Sequence, residues 1–144
     1  MKEKALTLLG LMRRANAIEI GEENTGSAVR EHSAKLVIVA SDASENAQKR
    51  AAGYMHGSKA VLITVPFTKR EISEHVGKPG CSMAAVCDIG FADAFVKLLA
   101  QLSPTEYEEA AQIIGNRAEE AEKRRPRTTE QQKNKRIGKR RKNA

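Results

Sequence analysis

Lysine and arginine are the residues whose number and placement in this chain point most directly to a binding chemistry. Between Lys123 and Ala144 there are 11 Lys and Arg against one acid, a charge of +10. Residues 1–122 hold 14 Lys and Arg against 17 acids, a charge of −3. Such a basic run beside an acidic body favours polyanion binding over a merely solubilising end. Its candidate phosphate contacts are Lys123, Arg124, Arg125, Lys139, Arg140 and Arg141.

A second candidate site lies at a predicted helix start that follows Gly21. Amide groups at a helix N-terminus bind phosphate, and Glu22 and Asn24 are in the first turn. The alternative is an ordinary helix start in which acids complement the helix dipole. On and just beyond this helix we also select Ser27, Arg30 and Lys35 as candidate contacts.

Two predicted loops complete the candidate surface. Asp42 follows an apolar run, where it is either a ligand contact or a turn residue, and Ser44 is predicted to be a helix cap. The stretch from Gly77 to Met83 is rich in glycine, whose backbone can approach phosphate closely. Within it we select Gly77, Lys78 and Ser82 as candidate contacts. The phosphate-binding motif of nucleotide hydrolases is absent.

Catalysis and metal binding have little support in the sequence. Cys81 and Ser82 could act as nucleophiles, but no histidine or acid is placed to activate them. Cys87 lies in an apolar run and is predicted to be a core residue. The three histidines lack metal-ligand spacing, and two cysteines are too few for a zinc site or a disulfide scaffold. We expect no catalytic residues, no metal and no cofactor.

Hydrophobic periodicity predicts the elements that position these residues. Apolar residues at helical spacing predict helices over 2–15, 22–31, 45–55, 69–75, 88–102 and 105–125. Short runs rich in β-branched residues predict strands over 17–20, 36–40, 60–65 and 83–87, the last three buried. Alternation of strands and helices predicts an α/β fold with a parallel or mixed sheet and helices on both faces. With 3% aromatic residues and no Trp, the core must be aliphatic.

Composition also divides the chain. We predict a domain over 1–102, a C-terminal helix over 103–125 that Pro126 stops, and a disordered basic tail over 126–144. Beyond Arg127 the only large apolar residue is Ile137, which cannot offset the entropy of ordering. With no recognisable signal peptide and no apolar run long enough to span a bilayer, we expect a cytoplasmic protein without a membrane partner.

The order and spacing of several segments resemble the bacterial relatives of the kink-turn-binding ribosomal proteins, a group that includes the YlxQ-type proteins. The similarity covers residues 4–100, through Gly10-Leu-Met-Arg-Arg-Ala15, Gly21-Glu-Glu, Ala34 to Asn46, Val61 to Pro66, Val76 to Pro79 and Ala85 to Ala92. It implies a three-layer α-β-α sandwich with a small mixed sheet and no catalysis. It also implies RNA binding by the helix after Gly21 and two nearby loops.

This chain departs from that family at the helix start. Kink-turn binders typically read Gly-x-Asn-Glu-x-x-Lys there, and these positions hold Gly21, Glu23, Asn24 and Ser27. The lysine is therefore missing, and one phosphate contact with it. We expect a monomeric RNA-binding protein that acts on ribosomal RNA, on another structured RNA such as a kink-turn, or near ribosomal proteins. The alternative is a protein-interaction module that docks on a ribonucleoprotein and has lost kink-turn recognition.

Overall fold

A computed structural model describes the backbone of residues 1–143 and the side chains of residues 1–124. Four strands are present: β1 (Ile18–Ile20), β2 (Leu36–Val39), β3 (Val61–Thr64) and β4 (Met83–Val86). The helices are α1 (Lys2–Arg14), α2 (Glu22–Arg30), α3 (Glu45–Tyr54), α4 (Lys69–Val76), α5 (Ile89–Leu102) and α6 (Pro104–Asn143). Every predicted element up to residue 102 is therefore found, with ends that differ by one or two residues.

The four strands form one mixed sheet in the order β1-β4-β2-β3. β4 is antiparallel to both of its neighbours, pairing Ile18 with Val86 and Val39 with Met83. β3 is parallel to β2, with Leu36 opposite Val61. Because β4 alone is reversed, β1, β2 and β3 all end at the same edge of the sheet, and β4 begins there. This confirms the α/β class and the mixed sheet.

The core is aliphatic, as the composition requires. All four residues of β2 and all four of β4 are buried, because these two strands are central in the sheet. β3 is an edge strand, and only Ile63 of its four residues is buried. The prediction of a strand buried on both faces is therefore wrong for β3. Two aromatic side chains of the core, Phe67 and Phe95, are fully buried and meet edge to face at 6.4 Å between ring centroids.

Local capping fixes where three helices begin. Ser44 Oγ accepts a hydrogen bond from Ala47 N–H at the start of α3, which confirms it as a cap. Thr68 and Glu71 form a reciprocal capping box at the start of α4. Asp88 accepts from Phe91 N–H at the start of α5. Each helix axis is thus anchored at its first turn.

α6 begins at Pro104, as predicted, and packs on α5 and β3. Tyr107, Ala110 and Ile114 are buried in the main core. Tyr107 donates to Thr64 O at 2.6 Å, and Arg117 donates to Lys59 O, so α6 runs antiparallel to β3. The helical assignment continues past Pro126, where we predicted a stop. The side chains beyond Arg124 lie outside the described part of the chain, and the disordered tail and the divisions at 102 and 125 stay predictions.

Candidate functional site

Three predicted site segments meet at one edge of the sheet, which we call the carboxyl rim. It consists of Gly21–Asn24 after β1, Ser41–Ser44 after β2 and Gly77–Ser82 before β4. Gly21 N–H donates to Met83 O at 3.0 Å, and Ala40 N–H donates to Ser82 O at 2.9 Å. These bonds join the first and second segments to the third. The structure therefore places at one edge the three segments that the sequence analysis assigned to one candidate surface.

The N-termini of α2, α3 and α4 all open at the carboxyl rim, because each helix follows a strand that ends there. Each N-terminus carries the positive end of a helix dipole, which favours an anion. Side chains already cap amides of α3 and α4, whereas α2 has no side-chain cap. Acids in the same first turns oppose the attraction for an anion: Glu22, Glu23, Glu45 and Glu71.

At the start of α2 the predicted contacts are engaged within the protein. The Glu22 carboxylate pairs with Arg50 at 2.5 Å, and Glu22 O accepts from Tyr54 OH. Asn24 Nδ2 donates to Ile20 O at 3.0 Å, which ties the helix start to β1. Gly21 has φ +97°, a conformation that favours glycine. These residues shape the first turn of α2 and its approach to the rim.

Asp42 has a structural role, the alternative that its sequence context left open. Its Oδ1 accepts a hydrogen bond from Lys69 N–H at 2.8 Å, so it caps the first residue of α4. The loop after β2 and the start of α4 are thereby held together. Any ligand at the rim meets an Asp42 carboxylate that is already hydrogen-bonded.

The loop before β4 contains the remaining predicted contacts of the rim. Gly77 is the left-handed C-cap of α4, with φ +71°. Lys78 and Ser82 are half-buried. Cys81 between them is 1% exposed, and burial raises the pKa of its thiol to about 11, against the opposing charge of Lys78. An uncharged, enclosed thiol is a poor nucleophile.

A groove of about 430 Å³ opens at the carboxyl rim. Its cations are Lys69 and Arg70 of α4, which the sequence did not nominate because nothing local distinguishes them from other exposed cations. Arg70 pairs with Glu74 at 3.3 Å, within its own helix. The lining consists of small and polar residues with these cations: Glu22, Ser44, Ala47, Lys69, Arg70, Ser73, Pro79, Gly80 and Ser82.

Arg30 and Lys35 lie away from the carboxyl rim, at the other end of the sheet. Lys35 precedes β2, and its N–H donates to Val86 O at 2.8 Å. Arg30 ends α2 and donates to Ser27 Oγ at 3.3 Å, so its guanidinium folds back along the helix. The predicted contacts on and after α2 are thus divided between the two ends of the sheet.

The basic C-terminal contacts also lie away from the carboxyl rim. The first turn of α6 contacts Thr64, at the end of β3, and Arg117 further along α6 contacts Lys59, just before β3 begins. Lys123 and Arg124 are exposed on α6 beyond that point. Arg125, Lys139, Arg140 and Arg141 lie outside the side chains that the structure describes.

Two further observations concern the described residues. None of their helices combines the length and the apolar character required to cross a bilayer. Within the same described part, histidine, cysteine and carboxylate side chains form no cluster of three that could hold a metal ion.

Comparison with known proteins identifies relatives along most of the chain. No protein-family model matches it. RNA-binding protein YlxQ of Enterococcus faecium is 36% identical over 102 residues, which are 68% of this chain and 93% of that protein. RNA-binding protein YlxQ of Bacillus subtilis (strain 168) is 34% identical over 96 residues, 64% of this chain and 91% of that protein.

Two solved structures share the fold. A protein of unknown function from Bacillus halodurans C has a TM-score of 0.61 and 29% identity, covering 67% of this chain and 96% of that one. The Giardia lamblia 15.5kD RNA binding protein has a TM-score of 0.51 at 17% identity, covering 77% and 82%. At that identity the second likeness shows the fold alone. The match to nearly the whole length of the Enterococcus protein confirms the resemblance seen in the sequence, and the chain belongs to the YlxQ family.

Proposed function

We propose that this chain is a non-enzymatic RNA-binding protein whose carboxyl rim contacts structured RNA. The observation that carries the proposal is the 36% identity with a protein named for RNA binding, across 93% of that relative's length. The geometry supports it, because three helix N-termini and two lysine-bearing segments converge on a groove open enough to admit a sugar-phosphate chain. The raised pKa and burial of Cys81 argue against the alternative of thiol catalysis.

Within this function, a kink-turn is the structured RNA that we propose. The support is the resemblance of the chain over residues 4–100 to the relatives of the kink-turn binders, despite the departure at Glu23, Asn24 and Ser27, together with the meeting of the three segments at one edge. RNA is recognised mainly by shape and by backbone contacts, which suits a rim of mixed charge with few free cations. The basic C-terminal segment adds affinity that depends on salt and carries no sequence information.

Lys69 and Lys78 allow a direct test of the rim. Lys69→Gln with Lys78→Gln, which replaces two half-buried lysines, is expected to weaken binding to a kink-turn RNA, while Lys4→Gln with Arg13→Gln, which removes the same charge from α1, serves as the control. Binding is measured for both RNAs, a kink-turn and a plain duplex, in physiological salt. Equal losses in the two variants would contradict a role for the rim.

Ser27 gives a test in the opposite direction, because it stands where kink-turn binders have lysine. Ser27→Lys is expected to strengthen kink-turn binding and to steepen its salt dependence by about 0.7–0.9 in log K against log salt, the value of one added phosphate contact. Thr7→Lys on α1 adds the same charge outside the lining of the rim groove and should leave the preference for the kink-turn unchanged. If neither the wild type nor Ser27→Lys prefers the kink-turn, the protein-interaction alternative is favoured.

A further inference from the structure

A second groove lies at the end of the sheet opposite the carboxyl rim. It has a volume of about 400 Å³ and is formed where α2 leads into β2, where α3 leads into β3, and where α6 crosses both. We call it the opposite groove. The residues that matter for its charge and shape are His32, Lys35, Gly57, Lys59, Ile89 and Arg117.

The charge of the opposite groove is one-sided. Lys35, Lys59 and Arg117 line it, and no aspartate or glutamate does. Within residues 1–124, none of these three cations is in an ion pair. At the carboxyl rim, by contrast, Arg50 and Arg70 are each paired with a glutamate. No carboxylate among the described residues therefore neutralises these three cations, and an anionic ligand can pair with them.

Hydrogen bonds to the backbone and a turn fix the positions of these three residues in the fold. Lys35 is held in the sheet from both sides, since its N–H donates to Val86 O at 2.8 Å and its carbonyl accepts from Val61 N–H at 3.2 Å. Lys59 follows a turn at Gly57, which has φ +74°. Arg117 is half-buried and donates to the Lys59 carbonyl. That bond orients the guanidinium and leaves further N–H donors for a second acceptor.

We propose that the opposite groove is a second RNA-binding surface, which holds the sugar-phosphate backbone of a segment other than the one at the carboxyl rim. This rests on the proposed RNA binding and extends it. Four residues of β2, about 13 Å of strand, separate the two sites, so one RNA can occupy both. Arg124 lies seven residues after Arg117 and hence on the same face of α6, in the direction of the basic C-terminal segment.

The first experiment uses the full chain and a structured RNA. In Lys35→Gln/Lys59→Gln/Arg117→Gln the slope of log K against log salt should fall by about 2, since each lost phosphate contact removes about 0.7–0.9. The control, Lys4→Gln/Lys49→Gln/Arg13→Gln, removes the same number of cations outside the opposite groove and should change the slope by less than one contact. Thermal unfolding confirms that each variant is folded, and Arg117→Lys, which keeps the charge, should recover most of the loss that Arg117→Gln causes.

The second experiment does not depend on RNA. Tripolyphosphate, a minimal phosphate chain, is titrated into the isotope-labelled protein, and amide shifts are expected at Gly57, Ser58 and Lys59 that disappear in Arg117→Gln. Shifts confined to other residues, with an unchanged salt slope in the triple variant, overturn the inference and leave RNA binding by the carboxyl rim intact. Failure of the wild type to bind any RNA overturns the proposed function, and with it this inference.

Discussion

Burial sets the reactivity of the two thiols in this chain. Cys81 is 1% exposed and its pKa is raised to about 11 by desolvation. Cys87 is half-exposed, and desolvation also raises its pKa. Neither side chain has the electropositive, accessible setting that activates a thiol. At the scale of residues, neither thiol therefore supports the alternative of thiol catalysis.

Alkylation by iodoacetamide at pH 8 tests this conclusion. At that pH about one Cys81 side chain in a thousand is ionised, compared with about a quarter of unperturbed thiols. We expect Cys81 to react more slowly than Cys87, and both to react more slowly than in the urea-unfolded chain, as read by mass spectrometry of the labelled peptides. Faster labelling of folded than of unfolded Cys81 would restore the enzyme hypothesis.

Among the elements, α1 and α4 approach each other closely where α1 has a glycine, Gly10. A Cβ added at Gly10 would lie 3.0 Å from the carbonyl oxygen of His75. That carbonyl belongs to α4, whose start is fixed by the capping box of Thr68 and Glu71. A backbone atom cannot rotate away as a side-chain end does, so Gly10 sets the distance between the two helices.

Gly10→Ala is therefore expected to lower the free energy of unfolding by about 1 kcal/mol, because overpacking of about 1–3 kcal/mol exceeds a helix-propensity gain of about 1 kcal/mol. Gly53→Ala in α3 is the matched control, since a Cβ there meets nothing within 4 Å. It should raise the free energy of unfolding by about 0.5–1 kcal/mol. Urea denaturation measures both, and equal effects of the two substitutions would contradict the close packing.

The sequence predicted where each helix and strand lies along the chain, but not which elements pack against one another. Periodicity is a local property, so β2 and β4 were found as continuous apolar runs, whereas their antiparallel pairing depends on the whole fold. Lys35 and Asp42 flank the same strand, β2, so they must lie at opposite ends of the sheet. The sequence alone could therefore have assigned these two residues to different sites. The meeting of Lys59 with Arg117 depends on the path of α6, and nothing near either residue in the sequence encodes it.

Across the whole molecule, burial of ionisable groups makes the free energy of unfolding fall at alkaline pH. Desolvation raises the pKa of Cys81 to about 11 and that of Tyr107 to about 12. A raised pKa means that the folded chain holds protons that the unfolded chain releases, so stability is complete below about pH 9 and falls as pH rises from there. For Cys81, a shift of this size corresponds to about 2–3 kcal/mol when pH exceeds 11.

Urea denaturation at pH 7, 9 and 10.5 checks this dependence. Comparison with Cys81→Ala isolates the contribution of the thiol to this pH dependence. The variant should be less stable than the wild type at pH 7, because it leaves a small cavity, and the difference should shrink as pH rises. A stability difference that stays constant from pH 7 to 10.5 would contradict the raised pKa of Cys81.

Charge is unevenly divided along the whole chain, with −3 in residues 1–122 and +10 in residues 123–144. Truncation after Glu122 is expected to lower the slope of log K against log salt by several units, since 11 Lys and Arg are removed. The preference for a kink-turn over a duplex should persist, because phosphate contacts add affinity without discrimination. Thermal unfolding should barely change, since Ile114 is the last side chain that the structure describes as buried.

A variant with glutamine at Lys139, Arg140, Arg141 and Lys142 removes four of these charges at constant length and should give an intermediate slope. An unchanged slope in both variants would mean that the basic segment does not contact the RNA, and that the cations of the folded body account for its salt dependence.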